Sequence, residues 1–117
     1  MHLIPGSGGT DICSLFAGMN TSLPVHRGEI QCRLPGMAIE AFTPSGQIAG
    51  PDQPGELVCL KPFPCQPVGF WPLDGYGSTE AVEAAKARYQ QAYFSEFKGV
   101  WCKWCYIFSE LILYMVL

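Results

Sequence analysis

The chain has 117 residues, 49% of them hydrophobic and 15% charged, a mixture too apolar and too weakly charged for a disordered segment and long enough for one small domain. A net charge of −3 with only seven scattered basic residues offers no basic surface to a phosphate backbone, so no nucleic-acid partner is expected. Met1 to Gly6 has neither the basic start nor the apolar core of a secretory signal, and the six cysteines lack the dense spacing of a secreted scaffold. Together these predict free thiols and a cytoplasmic setting.

The first distinctive segment is Gly6-Ser7-Gly8-Gly9-Thr10-Asp11, read as a Gly-rich loop. It is followed by a moderately apolar stretch, Ile12 to Gly18, and a polar turn at Asn20-Thr21-Ser22. Glu29 to Leu34 reads as a short strand. Met37 to Phe42 sets Met37, Ile39 and Ala41 against Ala38, Glu40 and Phe42, the period-2 alternation of a half-buried strand. Thr43-Pro44-Ser45-Gly46 then places proline and glycine where a tight turn uses them, with Gln47 to Ala49 extended after it.

A second breaker cluster, Gly50 to Gly55, precedes Glu56 to Lys61, the strongest strand pattern in the chain. Residues 62 to 77 hold so many prolines that no ladder strand fits; an ordered loop is expected, with Phe63, Phe70, Trp71 and Tyr76 packed down onto a sheet. A helix is predicted over Thr79 to Phe97, capped by Ser78 and stopped by Gly99, with Val82, Ala85, Tyr89, Ala92, Tyr93 and Phe97 on one face. From Cys102 to Leu117 the composition changes abruptly. That run is shorter than the roughly 20 apolar residues of a spanning helix and carries Glu110, so a membrane span is disfavoured.

Chemically, the glycines of Ser7-Gly8-Gly9-Thr10-Asp11 let backbone amides come close to a phosphate. Thr10 adds a hydroxyl, and the Asp11 carboxylate could hold magnesium. The segment matches neither standard phosphate-loop spacing, and taken by itself a plain Gly-rich turn is the commoner explanation. Trp101-Cys102-Lys103-Trp104-Cys105 has the spacing of a thiol redox motif using Cys102 and Cys105, but too little chain follows to build the fold that motif serves. His2 and His26 stand in no nucleophile or metal spacing.

Taken in order, Ser7 to Cys13, Val25 to Gln31, Gly36 to Glu40, Gly55 to Cys59, Val68 to Trp71 and Ala92 to Trp101 resemble acetoacetyl-CoA synthetases, a branch of the adenylate-forming acyl-CoA synthetases. The resemblance covers residues 4 to about 101. It implies ATP, Mg2+ and coenzyme A as cofactors or co-substrates, with a nucleotide and acetoacetate as binding partners. It places Ser7, Gly8 and Gly9 against adenine, Thr10 at the α-phosphate and Asp11 at magnesium, and it gives Gly55-Glu56-Leu57 a structural part.

The same resemblance implies a mainly β fold with one helix (α+β), a partial barrel-like subdomain from the end of the large N-terminal domain. It divides the chain into a partial AMP-binding domain, 1–101, and an unrelated apolar tail, 102–117. Family members are several times longer. They carry a lysine-ended phosphate loop upstream, a ribose-binding aspartate downstream in His-Gly-Asp, and a C-terminal domain with the catalytic lysine. Here Cys102-Lys103-Trp104-Cys105 stands where His-Gly-Asp would follow, as a gene-model error, retained intron or frameshift would produce. The expected function is therefore a ligase fragment that is inactive alone, with exposed apolar surface prone to self-association. The alternative is a non-enzymatic interaction or membrane-associating fragment acting through the tail.

Overall fold

A computed structural model describes residues 4–51 and 53–108, with the backbone alone for 103–106 and 108. It contains β1 (Ser7–Gly9), β2 (Ser14–Gly18), β3 (Cys32–Arg33), β4 (Ile39–Phe42), β5 (Pro54–Cys59), α1 (Thr79–Phe94) and β6 (Trp101–Phe108). The strands form two open antiparallel sheets in the orders β1-β2-β3 and β4-β5-β6. The fold is thus mainly β with one helix, as the sequence implies.

The alternation over 37–42 survives intact. Met37, Ile39 and Ala41 are buried while Ala38, Glu40 and Phe42 are only partly covered. Thr43 to Gly46 closes the predicted turn, the Gly46 amide donating to the Thr43 carbonyl at 2.9 Å, with Gly46 at φ +77°. The chain then folds back on β4 through a bridge between Phe42 and Ile48. β5 is the central strand of its sheet, so Leu57, Val58 and Cys59 are all buried; a strand covered on both faces reads as a continuous apolar run.

Three local expectations are revised. The segment read as a loop at Ser7–Gly9 is the first strand, and the apolar stretch after it supplies the second. The helix begins as predicted, Ser78 Oγ accepting from the Ala81 amide at 3.3 Å, but ends at Phe94 rather than Phe97. There Ser95 Oγ bonds back to the Gln91 carbonyl at 2.8 Å, and Phe97 leaves the helical path to meet the Phe42 ring edge-on at 5.3 Å. In the proline-rich loop Phe63 is buried and Phe70 half-buried, but Trp71 and Tyr76 are 66% and 69% exposed and pack on each other instead.

One core joins β2, β4, β5, β6 and α1: Phe16 and Ala17 from β2 with Ile12 from the turn before it, Ile39, Leu57, Cys59 and Trp101 from the second sheet with Met37 just ahead of β4, Tyr89 from α1 and Phe63 from the loop. Aromatic rings meet edge to face through its centre, Phe16 on Phe63 at 5.4 Å and Phe63 on Trp101 at 5.3 Å. Arg33 on β3 and Glu40 on β4 form an ion pair at 3.0 Å that ties the two sheets at their junction.

Gln31 is the buried polar residue that holds the long connection into β3. Its Nε2 donates to the carbonyls of Leu23 (2.8 Å), Asn20 (3.0 Å) and Pro24 (3.3 Å), and its Oε1 accepts from the Asn20 amide at 3.1 Å. Replacing it by leucine strands several of these backbone groups. Gln31→Leu is expected to cost about 1–3 kcal/mol, read as a lowered urea midpoint, with faster amide exchange confined to residues 20–31.

Candidate functional site

The residues singled out from sequence come together at one hairpin. β1 and β2 pair in the register Gly8 to Leu15 and Gly9 to Ser14, and Thr10 to Cys13 form the connection. Its turn is closed by the Cys13 amide on the Thr10 carbonyl at 3.1 Å, with Cys13 in the left-handed region at φ +48°. Glycine is required at position 8 by the hairpin itself, because a Cβ there would lie 2.2 Å from the Ser14 carbonyl oxygen. Ile12 points into the core and anchors the turn from below, leaving the neighbouring Thr10 and Asp11 exposed.

Gly9, Thr10, Asp11 and Ile12 line a cavity of about 240 Å³ together with Phe16, Tyr93 and Trp101. Tyr93 and Trp101 come from α1 and the start of β6, so three elements far apart in the chain build its walls. The Tyr93 hydroxyl donates to Asp11 Oδ2, and its ring lies flat on Trp101, centroids 3.8 Å apart and planes within 13°. Burial pushes the Tyr93 hydroxyl pKa well above the ordinary tyrosine value, and the hydrogen bond to Asp11 and its negative charge push it the same way. Trp101 is 3% exposed, and its indole N–H is buried without a hydrogen-bond partner among the described residues.

The residues present fit magnesium as one contributor to its shell. Asp11 is an exposed carboxylate beside the Thr10 hydroxyl, and hard oxygen donors of this kind suit that ion. Among the described residues no group of three or more His, Cys, Asp or Glu side chains could enclose a metal alone. A cation here would depend on ligand oxygens for most of its coordination.

Tyr93 and Trp101 were legible as a helix-face residue and as the end of the resemblance, but not as walls of this cavity. Nothing in the spacing of positions 11, 93 and 101 brings them together before the sheets are folded. His26 lies elsewhere, in a separate cavity lined by Leu23, Pro24, Glu29 and Gln31. His2 falls outside the described residues.

Cys102 is buried, and burial foremost, with smaller contributions from the Glu56 and Glu96 carboxylates, pushes its thiol up to about 11. A nucleophilic thiol needs the opposite shift; the Cys105 side chain lies outside the described residues. The five described cysteines, Cys13, Cys32, Cys59, Cys65 and Cys102, are unpaired. Because the folded value for Cys102 stands above the ordinary 9.0, its contribution to stability is intact below pH 9 and is lost as pH rises through about 11. Iodoacetamide at pH 8 is expected to label exposed Cys13 in the native chain and to reach Cys102 only under denaturant, as mass spectrometry of the labelled peptides would show.

No family model matches the chain. Acetoacetyl-CoA synthetase from Mus musculus is 52% identical over 95 residues, 81% of this chain and 12% of the mouse protein. The Rhizobium meliloti acetoacetyl-coenzyme A synthetase is 42% identical over 97 residues, 82% of this chain and 13% of its own length. The solved structure of acetoacetyl-CoA synthetase from Streptomyces lividans superposes with a TM-score of 0.73 at 38% identity, covering 88% of this chain and 14% of that one. Sequence and fold therefore agree that this chain is homologous to one stretch of the acetoacetyl-CoA synthetases, spanning 12–14% of the length of these relatives.

Proposed function

We propose that the chain is a piece of an ATP-dependent acetoacetate–CoA ligase that carries one wall of the nucleotide site and does not turn over by itself. The observation that carries this reading is the convergence of Thr10, Asp11, Tyr93 and Trp101 on one cavity, within a chain 52% identical over 95 residues to a synthetase of that name. The reaction forms an acyl-adenylate from acetoacetate and ATP and then moves the acyl group to coenzyme A. In the parent, the two open sheets would form part of a barrel-like subdomain, and the cytoplasm would be its setting.

Within that reaction Ser7, Gly8 and Gly9 lie along the adenine, and the Thr10 hydroxyl donates to an α-phosphate oxygen. The Asp11 carboxylate is the chain's ligand to magnesium. Bound there, magnesium would neutralise charge developing on the leaving pyrophosphate. Residues 1–117 supply few of the contacts such a site needs. Each missing charged or hydrogen-bonding contact is worth about 1.5–3 kcal/mol, so a few of them move nucleotide affinity out of the micromolar range. The purified chain is expected to release no pyrophosphate above a protein-free blank with ATP, Mg2+, acetoacetate and coenzyme A present. Acetoacetate-dependent release by the chain alone would overturn the reading.

Apolar surface left uncovered supports self-association. Val68 is 86% exposed beside Trp71 and Tyr76, and Ile4 and Ile48 are each 61% exposed. Sedimentation velocity over a hundredfold concentration range is expected to show a rising weight-average mass; a constant monomer mass would count against it. No helix among the described residues is long and apolar enough to cross a membrane.

A further inference from the structure

We propose that Tyr93 is a positioning residue for Asp11, fixing the carboxylate through Oδ2 so that Oδ1 is held ready for a divalent cation. The inference rests on the reading of Asp11 as a magnesium ligand. It adds a residue whose part comes from the fold of this chain rather than from the Gly-rich segment.

Asp11 sits exposed in a four-residue connection, where an aspartate side chain would otherwise sample several rotamers and lose that freedom on binding. Tyr93, 82 positions later, removes the freedom beforehand by donating its hydroxyl to Oδ2. A tyrosine hydroxyl is protonated at neutral pH and can donate there. Its own position is set by the core: the ring stacks at 3.8 Å on Trp101, which is boxed in turn by Phe63, Tyr89 and Phe94 at 5.3 to 5.9 Å. The carboxylate is thus oriented by packed aromatics and not by its flexible turn. Among the described residues Oδ1 has no partner, so the bond to Tyr93 occupies one oxygen and leaves the other.

Hydrogen-bonded orienters of metal-binding side chains typically carry ten- to a hundredfold in metal affinity. Tyr93→Phe deletes the hydroxyl and keeps the ring, so the stack on Trp101 and the fold should persist, and the amide spectrum reports this directly. The probe is Mn2+ alone, added to the 15N-labelled 117-residue chain, with paramagnetic broadening of amide signals as the readout; this detects millimolar binding.

Selective broadening of Gly9 to Ile12 is expected in the native chain and should vanish in Asp11→Asn. In Tyr93→Phe the Mn2+ concentration for half-broadening should rise about tenfold or more. An unchanged or lower concentration in a folded Tyr93→Phe chain would overturn the positioning role while leaving Asp11 as the ligand. Broadening that survives Asp11→Asn would overturn the metal reading itself and the positioning role with it. Should Tyr93→Phe lose its native spectrum, Tyr93 is a structural residue and the proposal fails.

Discussion

Truncation after Trp101 is expected to abolish the cooperative fold. β6 is hydrogen-bonded along the whole of β5, from Cys59 opposite Trp101 to Pro54 opposite Phe108, with an irregularity between Glu56 and Leu57. Its removal leaves the second sheet as β4 and β5 alone, and two-stranded sheets are barely stable in water. It also strips backbone partners from a strand whose Leu57 and Val58 are completely buried, and it deletes Cys102, which is 2% exposed. Circular dichroism and urea titration should show a sloping, non-cooperative transition where the full chain shows a sigmoidal one. A milder version of the experiment isolates the first residue of the strand. Trp101→Ala empties the centre of the ring cluster and should cost about 3–5 kcal/mol, a large part of the stability of a small domain. An unshifted urea midpoint in either variant would contradict the placement of Trp101 and β6 in the core.

Gly55→Ala is expected to destabilise the same sheet, for a different reason. A Cβ at Gly55 would lie 2.7 Å from the Phe42 carbonyl oxygen and 3.0 Å from the Phe42 carbonyl carbon and amide nitrogen. All three are backbone atoms of β4, so nothing can rotate away; either the β4–β5 pairing separates or the strand bends. Overpacking of this kind typically costs about 1–3 kcal/mol, the upper end being expected where only backbone can yield. Gly28→Ala is the matched control. Gly28 has φ +85°, and a Cβ added there would meet nothing within 4 Å among the described residues, so only left-handed strain of about 1–2 kcal/mol is expected. Urea midpoints should fall in the order native, Gly28→Ala, Gly55→Ala. Equal midpoints for the two variants would show that close strand packing is not what demands glycine at 55.

The sequence was most legible where one local rule decides. Alternation placed Met37, Ile39 and Ala41 in the core, and Ser78 marked the helix start, because pleat geometry and end-capping act over a few residues. It was least legible where a partner distant in the chain decides. Ser7–Gly9 looks like a loop because glycine favours no strand, yet it pairs with β2, and Gly8 suits that hairpin because the Ser14 backbone approaches so closely. Phe97 has helical spacing but is drawn off the helix by Phe42. The composition break at residue 102 falls one residue inside β6, and a hydrogen-bonded ladder is made by main-chain groups that every non-proline residue carries.

The same holds for the candidate site. Thr10 and Asp11 stood out through residue type and resemblance. Tyr93 was visible only as a helix-face residue and Trp101 only as the end of the resemblance, since their convergence with Asp11 on one cavity depends on α1 packing against β6. The indole N–H of Trp101 beside that cavity, without a partner among the described residues, has no sequence signature at all.

The most direct test of the nucleotide-turn reading is a titration of the 15N-labelled chain with Mg-ATP, followed by amide and indole chemical shifts. Shifts are expected to be confined to Ser7–Ile12, Tyr93 and the Trp101 indole N–H, unsaturated until millimolar nucleotide and abolished by Asp11→Asn. Micromolar saturation, or shifts centred anywhere other than the Thr10–Asp11 turn, would contradict it.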